Sequence, residues 1–166
     1  MNAAVRPTHV RAIVTAALAA LAVAVTGGLA TELGPWYYQL ALPSWKPPDW
    51  LFGPVWTLIF ALAALSGYHS WIASPRRDAR IARILALFAV NALLNIAWSL
   101  LFFRAHRPDW ALLEVGLLWL SIAALMALSW PRSRRAALLL LPYLAWVSFA
   151  AVLNYAVVRL NPGIGN

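Results

Sequence analysis

Five long stretches of the chain are almost free of charged residues. They run from Ala12 to Leu29, from Leu51 to Ala73, from Ile84 to Phe103, from about Trp110 to Trp130 and from Ala136 to Val158. A helix needs about 20 apolar residues to cross the hydrocarbon core of a bilayer, and each stretch is of about that length. None shows the period of two that a strand of a membrane barrel would have. The pattern predicts an all-α integral membrane bundle of five transmembrane helices.

Short clusters of proline and arginine separate these stretches, and only the first connection is long. We interpret the chain, residues 1–166, as a single membrane domain with helices at about 10–30, 51–73, 82–103, 109–130 and 135–158 and a lid-like first loop at 31–50. Because the later connections are short, helices that follow one another in sequence should pack antiparallel.

The composition excludes several other classes of protein. Apolar residues make up 63% and charged residues 11% of the chain, against roughly 45–50% and about 25% in soluble domains. A soluble domain of this size would lack the polar residues to cover its surface. Because the chain has no cysteine, disulfide scaffolds and cysteine-based metal or thiol chemistry are excluded. His9, His69 and His106 are too scattered for a metal site, so we expect neither a metal nor a required cofactor.

Basic residues occur in short clusters between the apolar stretches. This is typical of membrane topology rather than of a nucleic-acid-binding face, so nucleic acid is not an expected partner. With five spans, the N-terminus and the second and fourth loops share one side, which holds Arg6, Arg11, Arg76, Arg77, Arg80, Arg83, Arg132, Arg134 and Arg135. The other side holds only Lys46, Arg104, Arg107 and Arg159. The positive-inside rule therefore predicts a cytoplasmic N-terminus, with the first loop and the C-terminus on the opposite side.

The first stretch allows a second interpretation. Its basic start and the sequence Gly28-Leu29-Ala30 resemble a secretory signal peptide with a small-residue cleavage site. Its apolar run is longer than the roughly 7–15 residues of such a peptide. Small residues also recur at every fourth position, at Ala12, Ala16, Ala20, Ala24 and Gly28. Because a stripe of this kind lets another helix approach closely, we favour a retained membrane helix.

Three stretches place polar and aromatic residues on one helical face, at spacings of three and four. The third has Asn91, Asn95, Trp98, Ser99 and Phe102, the fifth has Tyr143, Trp146, Ala150, Leu153 and Asn154, and the second has Trp56, Phe60, Ala63, Ala64 and Gly67. Amides within a bilayer need partners, so these faces should point into the bundle. They form either hydrogen-bonded contacts between helices or the walls of a flat aromatic pocket suited to a planar apolar ligand.

The first loop is stiffened by four prolines between Leu42 and Trp56 and is predicted to cover the bundle as a lid. Within it, Lys46 either meets an acidic group of a ligand or is a solvated charge. Farther along the chain, Glu114 lies one turn inside the fourth stretch. It is either stabilised by the positive end of its helix or paired with Arg104 or Arg107.

The first-loop sequence resembles the signature of the TspO family, the tryptophan-rich sensory proteins related to the mitochondrial translocator protein. The matching residues are Pro43-Ser44-Trp45-Lys46-Pro47-Pro48-Asp49-Trp50 and Gly53-Pro54-Val55-Trp56-Thr57. Further similar segments are Gly27-Gly28, Asn95-Ile96-Ala97-Trp98 with Phe102-Phe103, and Pro142-Tyr143-Leu144-Ala145-Trp146 with Phe149-Ala150 and Leu153-Asn154-Tyr155. The resemblance covers about residues 12–161, nearly the whole chain.

This resemblance implies a dimeric five-helix bundle that binds porphyrins and, in some members, cholesterol and benzodiazepine-type ligands. The implied pocket lies beneath the first loop, among the first, second, third and fifth membrane helices. Ala150 matches a small residue at which added bulk alters ligand binding. Leu153, Tyr155 and Arg159 fit a proposed cholesterol motif that is weak by itself. The long basic tail of the mitochondrial members is missing, so sterol transport is not expected for what looks like a bacterial chain. The helix faces, the loop and the resemblance together give these candidate ligand-binding residues: Trp45, Lys46, Trp56, Phe60, Asn91, Asn95, Trp98, Phe102, Tyr143, Trp146, Ala150 and Leu153.

Three functions are compatible with these residues. The favoured one is binding, and with it transport or sensing, of tetrapyrroles such as protoporphyrin or haem, whose macrocycle would stack on aromatic walls. The second, implied by the resemblance, is light- and oxygen-dependent porphyrin breakdown in which Trp56 and Trp146 are oxidised. The third is a regulatory membrane partner for which the ligand is a signal.

Overall fold

A computed structural model describes residues 7–74 and 78–163. Within these ranges there are five helical segments long and apolar enough to cross a membrane, and no strand. The predicted all-α bundle of five membrane helices is confirmed. Arg6, Arg76 and Arg77, which contribute to the predicted orientation, lie outside the described residues.

The helices follow one another with short connections. They are α1 (Pro7–Ala30), α2 (Pro35–Tyr38), α3 (Asp49–Ile72), α4 (Ala79–Ser99), α5 (Pro108–Ser129), α6 (Arg134–Leu138) and α7 (Leu141–Leu160). A π-helical turn, Leu100–Arg104, continues α4. The single-turn α2 lies within the first loop, and α6 and α7 together form the last membrane segment.

Two features of the helices were not predicted from the sequence. The last apolar stretch is broken at Leu139 and Leu140 because Pro142, in the first turn of α7, has no N–H to bond the carbonyl of Leu138. At the end of α4 the N–H of Ala105 bonds the carbonyl of Leu100, 2.8 Å away, which widens the last turn. The chain then turns sharply at His106, whose φ is 55°.

The buried core lies among α3, α4, α5 and the last segment, whereas α1 is peripheral. Ile84, Ile122, Leu125, Leu140 and Val147 are fully buried in one cluster. The membrane-spanning window of α1, by contrast, contains no buried residue, although the helix packs along α3 and also contacts α4. In a lipid environment α1 is therefore the helix with the most surface facing acyl chains.

One end of the bundle, which we call the basic end, holds Arg11, Arg80, Arg83, Arg132, Arg134 and Arg135. There Arg132 pairs with Asp78, the N-cap of α4, and donates a hydrogen bond to the hydroxyl of Ser74. Desolvation raises the pKa of Asp78, but hydrogen bonds from the Ile81 N–H and from Arg132 outweigh it, so this pKa lies below its usual range. The contact ties the start of α4 to the connection between α5 and α6.

The opposite end, which we call the lid end, carries the first loop. Arg104 pairs with Glu32 at 2.5 Å and donates a 2.9 Å hydrogen bond to the carbonyl of Leu29, which fastens α1 to the end of α4. Asn161, just after α7, exchanges two hydrogen bonds with the backbone of Ala41, at 2.8 and 2.9 Å. At the lid end the first loop is thus attached to the π-helical turn after α4 through Glu32 and to the residue after α7 through Ala41.

Candidate functional site

The first loop is fixed to the top of α3 by one carboxylate. Asp49 accepts a hydrogen bond of 2.7 Å from the Tyr37 hydroxyl and pairs with the Lys46 ammonium at 2.5 Å. The same ammonium lies 5.8 Å from the ring centres of Tyr37 and Phe52. Burial and the hydrogen bond to Asp49 raise the pKa of Tyr37. Lys46 is therefore paired with Asp49 and mostly shielded from solvent rather than a solvated charge, and its contact with an acidic group of a ligand stays a prediction.

A stacked pair of rings joins this loop to the turn after α4. Trp36 of α2 stacks on His106 with ring centres 4.2 Å apart, and its edge contacts the buried Phe102 at 6.0 Å. A small pocket of about 220 Å³ lies beside this stack and includes Glu32 and Arg104. Its charged groups already pair with each other, so we assign it no ligand.

Beneath the loop, the aromatic residues pack against one another. Trp146 contacts Phe52 and Phe149, at 5.5 and 5.3 Å between ring centres, and Phe149 in turn contacts Trp45 at 5.9 Å. Within residues 7–74 and 78–163, the buried indole N–H of Trp146 has no hydrogen-bond partner. Trp56 stacks on Phe60 at 5.3 Å and meets the edge of Tyr143 at 6.0 Å. We call these rings, Trp45, Phe52, Trp56, Phe60, Tyr143, Trp146 and Phe149, the aromatic cluster.

The two amides predicted to face inward are buried and hydrogen-bonded between helices. The Tyr143 hydroxyl donates to Asn91 Oδ1 and accepts from Asn95 Nδ2, both at 3.2 Å. Asn91 Nδ2 also donates to the Ser121 hydroxyl at 2.8 Å. One hydroxyl on α7 thus connects two turns of α4, and Asn91 connects α4 to α5. The sequence allowed this face to form either contacts between helices or a pocket wall. These hydrogen bonds are contacts between helices.

Other predicted site residues lie nearer the lid end. Trp98 donates a 3.1 Å hydrogen bond to Asn154, which donates at 2.8 Å to the carbonyl of Pro108, and Trp98 also stacks on Phe102 at 5.2 Å. Ala150 and Leu153 are half-buried on α7. The remaining members of the possible sterol motif, Tyr155 and Arg159, are exposed.

Glu114 is buried inside the bundle, with only 8% of its surface exposed. Among the described residues, neither carboxyl oxygen has a hydrogen-bond partner. The predicted ion pair is wrong, because Arg104 pairs with Glu32 and Arg107 forms two hydrogen bonds with Asp109, at 2.8 and 2.5 Å. The hydrogen bond to Asp109 also raises the pKa of Arg107. Both arginines thus have a carboxylate partner other than Glu114.

A cavity of about 770 Å³ lies between α1, α3 and α4, on the basic-end side of the aromatic cluster. Its α1 wall consists mainly of alanines, and its other walls carry the rings of Phe60, Tyr68, Trp71, Phe88 and Tyr143. It extends from Phe60, Asn91 and Tyr143, in the middle of the bundle, to Arg11 at the basic end. The combination of a small-residue wall and flat rings produces a slot.

This cavity and the predicted pocket overlap only in part. Phe60, Asn91 and Tyr143 line the cavity, whereas the other candidate residues lie above it, toward the lid end. The resemblance implied that the first membrane helix borders the pocket, but sequence reasoning named no residue of that helix as a ligand contact and missed the rings of Tyr68, Trp71 and Phe88. The signal was present in the small residues of the first stretch, since Ala12, Ala16 and Ala20 line the cavity. We interpreted that stripe as a helix contact only.

Comparison with known proteins identifies the family. The model of the TspO/MBR family matches residues 14–160. The tryptophan-rich protein TspO of Chlorobaculum tepidum is 42% identical over 149 residues, which are 86% of this chain and 90% of that protein. The protein CrtK of Rhodobacter capsulatus is 39% identical over 131 residues, 78% of this chain and 81% of the relative. The translocator protein of Homo sapiens is 39% identical over 129 residues, 77% and 76% of the two chains. The chain is therefore an integral, multi-pass membrane protein of the TspO/MBR family.

Proposed function

We propose that this protein binds a planar apolar ligand, of the tetrapyrrole class that includes protoporphyrin and haem, in the cavity between α1, α3 and α4. The observation that supports this most directly is the cavity itself. Its volume of about 770 Å³ falls within the roughly 300–1,000 Å³ of small-molecule sites, and its lining is mainly apolar and aromatic with few polar groups.

The shape of the lining favours a flat guest over a flexible one. Aromatic rings gain stabilisation by stacking on other flat rings, beyond the apolar area that they bury. Opposite them, Ala16 and Ala20 leave space for a second face of the ligand. Asn91 and Tyr143 supply polar atoms at the inner end of the slot, and Trp56 supports Phe60 from behind.

We further propose that ligand contacts extend under the lid to Trp56, Trp146 and Ala150, as the family resemblance implies. The buried N–H of Trp146 supports this proposal, because an unsatisfied donor in an apolar cluster is costly and a ligand acceptor would satisfy it. Ala150→Leu is therefore expected to weaken protoporphyrin binding. Retention of wild-type affinity in that variant would restrict the ligand to the cavity.

The biological role that we propose for this binding is sensing or transport of the ligand. Relatives bear the names tryptophan-rich sensory protein and translocator protein, at 33% and 39% identity. A membrane-embedded slot next to the most peripheral helix suits either role, because an apolar ligand in the bilayer can reach it laterally.

Porphyrin breakdown driven by light is a second candidate, favoured by one arrangement of rings. Phe60 lines the cavity and stacks on Trp56, so an oxidisable indole lies one ring away from the proposed ligand. Under this candidate, illuminated protein in aerated buffer consumes protoporphyrin, and Trp56→Phe with Trp146→Phe stops the loss. If dark and illuminated samples keep the same porphyrin spectrum, the breakdown candidate fails and binding alone remains.

The experiment that tests the proposed function is a titration of purified protein in detergent with protoporphyrin, haem and a sterol, followed by tryptophan fluorescence. Saturable quenching by the tetrapyrroles, with the sterol weaker or inactive, is the expected result. The absence of saturable quenching by either tetrapyrrole would contradict the proposal.

A further inference from the structure

The basic-end mouth of the cavity carries hydrogen-bond donors that the proposed function does not use. Arg11 and Thr15 lie one turn apart on the same face of α1, and both line the cavity. Tyr68 of α3 lines the same region, and its hydroxyl lies 3.4 Å from Nδ1 of His9. A guanidinium and two hydroxyls thus surround one end of an otherwise apolar slot.

Arg11 is exposed and is the arginine that lines the cavity. Like Arg80 and Arg83 at the same end, it forms no ion pair with another described residue. Arg104, Arg107 and Arg132 each pair with a carboxylate. In the described part of the chain, no carboxylate pairs with Arg11, and no partner is found for the Thr15 hydroxyl. An unpaired guanidinium at the edge of an apolar cavity is suited to a carboxylate, which it binds with two parallel hydrogen bonds.

The opposite end of the cavity offers no comparable group. Asn91 and Tyr143 are neutral there, and their hydrogen bonds are made to each other, to Asn95 and to Ser121. A ligand carboxylate placed at that end would be desolvated without a cation, which is costly. The charge difference between the two ends therefore sets an orientation.

We propose that the ligand is an amphiphile with a planar apolar body and a carboxylate, and that Arg11 and Thr15 bind this carboxylate at the basic end. The apolar body then extends toward Phe60 and Tyr143. This inference rests on the proposed function and adds to it the requirement for a carboxylate, the orientation of the ligand and the residues that recognise it. A planar body is favoured over the acyl chains of an anionic lipid because five rings line the slot.

The anchoring of α1 is consistent with entry at this end. At the lid end the helix is fixed by Arg104, and a Cβ added at Gly27 would lie 4.0 Å from the side chain of Asn95. Toward the basic end, the cavity separates α1 from α4. There the Tyr68 hydroxyl of α3 contacts Nδ1 of His9 on α1 at 3.4 Å. The mouth lies beside that contact.

The test compares protoporphyrin, a dicarboxylate, with its dimethyl ester, which has the same macrocycle without the charges. Dissociation constants are measured in phosphatidylcholine nanodiscs for the wild type, Arg11→Gln and Arg83→Gln. Arg83 is a matched control, since it is a basic-end arginine of α4 that does not line the cavity. Losing a charge-assisted hydrogen bond should weaken binding of the diacid by about tenfold or more in Arg11→Gln. The ester should bind all three proteins alike, and Arg83→Gln should match the wild type.

Several outcomes separate this inference from the proposed function. Equal binding of diacid and ester by the wild type and Arg11→Gln would overturn the inference and leave tetrapyrrole binding intact. No binding of either compound by the wild type would overturn both. If Arg11→Gln weakens diacid binding only in nanodiscs that contain phosphatidylglycerol and not in pure phosphatidylcholine, Arg11 acts through lipid phosphate and the inference is wrong. Unchanged ester affinity also shows that Arg11→Gln is folded.

Discussion

At the scale of single residues, Tyr143 links the fold to the proposed site. Its ring lines the cavity and contacts Trp56, while its hydroxyl joins Asn91 and Asn95. The sequence placed these residues on inward-facing sides of their helices, because amides and a phenol at helical spacing within a bilayer need partners. Which partner each one takes depends on the relative rotation of α4 and α7, which no spacing within a single helix encodes.

Removal of the Tyr143 hydroxyl should destabilise the bundle. In Tyr143→Phe, Asn91 Oδ1 and Asn95 Nδ2 lose a partner while buried, and an unsatisfied buried group costs about 1–3 kcal/mol. Thermal unfolding in detergent should show a lower midpoint than the wild type. Tyr155→Phe, which removes a hydroxyl from an exposed tyrosine, is the control and should leave the midpoint unchanged. Equal midpoints for both variants would show that the hydroxyl bonds contribute nothing.

Removal of the buried Glu114 carboxyl should, in contrast, stabilise the protein. Because neither oxygen has a described partner, Glu114→Leu removes an unsatisfied group and should stabilise the protein by about 1–3 kcal/mol. Glu32→Leu removes an exposed acid that pairs with Arg104 and should not stabilise it. Chemical or thermal unfolding in detergent measures both. Destabilisation by Glu114→Leu would mean that the carboxyl has a stabilising partner, and the account of this residue would then be incorrect.

At the scale of helices, the apolar stretches were sufficient to predict five membrane segments, since the required length is set by the bilayer. The break before α7 and the π-helical turn after α4 were not predicted. Pro142 marks the first, but whether a proline kinks or ends a helix depends on the packing around it. The π-turn has no comparable marker, because an i to i−5 hydrogen bond needs no special residue.

The N-cap of α4 provides a prediction about pH. The lowered pKa of Asp78 means that its ionised form is favoured in the folded state. Its contribution to stability is therefore present above the pKa of an unfolded aspartate and is lost as the pH falls through the lowered folded value. Asp78→Asn keeps an N-cap side chain and removes the ion pair with Arg132. Midpoints of thermal unfolding measured across the acidic range should thus fall less in this variant than in the wild type. An identical decline would show that the ion pair has no part in acid stability.

At the scale of the whole molecule, the arrangement of α1 decides where the cavity lies. The helix is fastened at the lid end and lined with alanine toward the basic end, so the space between it and α3 and α4 stays open there. The residues of the predicted pocket were identified from the family resemblance and from the polar and aromatic faces of three other helices. The resemblance implied a contribution from the first helix, but its residues were not identified, because alanine carries no chemical signal and its stripe also suits close helix packing.

A bulky side chain placed inside the cavity between α1, α3 and α4 would compete with a planar ligand for the same space. Ala64 lines the cavity, whereas Ala61, on the same helix, is exposed and does not. Protoporphyrin dissociation constants for Ala64→Phe and Ala61→Phe, measured by tryptophan quenching in the same detergent, separate added bulk at the site from added bulk elsewhere. We expect Ala64→Phe to weaken binding by about tenfold or more, since extra volume in a filled site forces rearrangement. Ala61→Phe should bind as the wild type does. Wild-type affinity in Ala64→Phe would contradict binding of the ligand in this cavity.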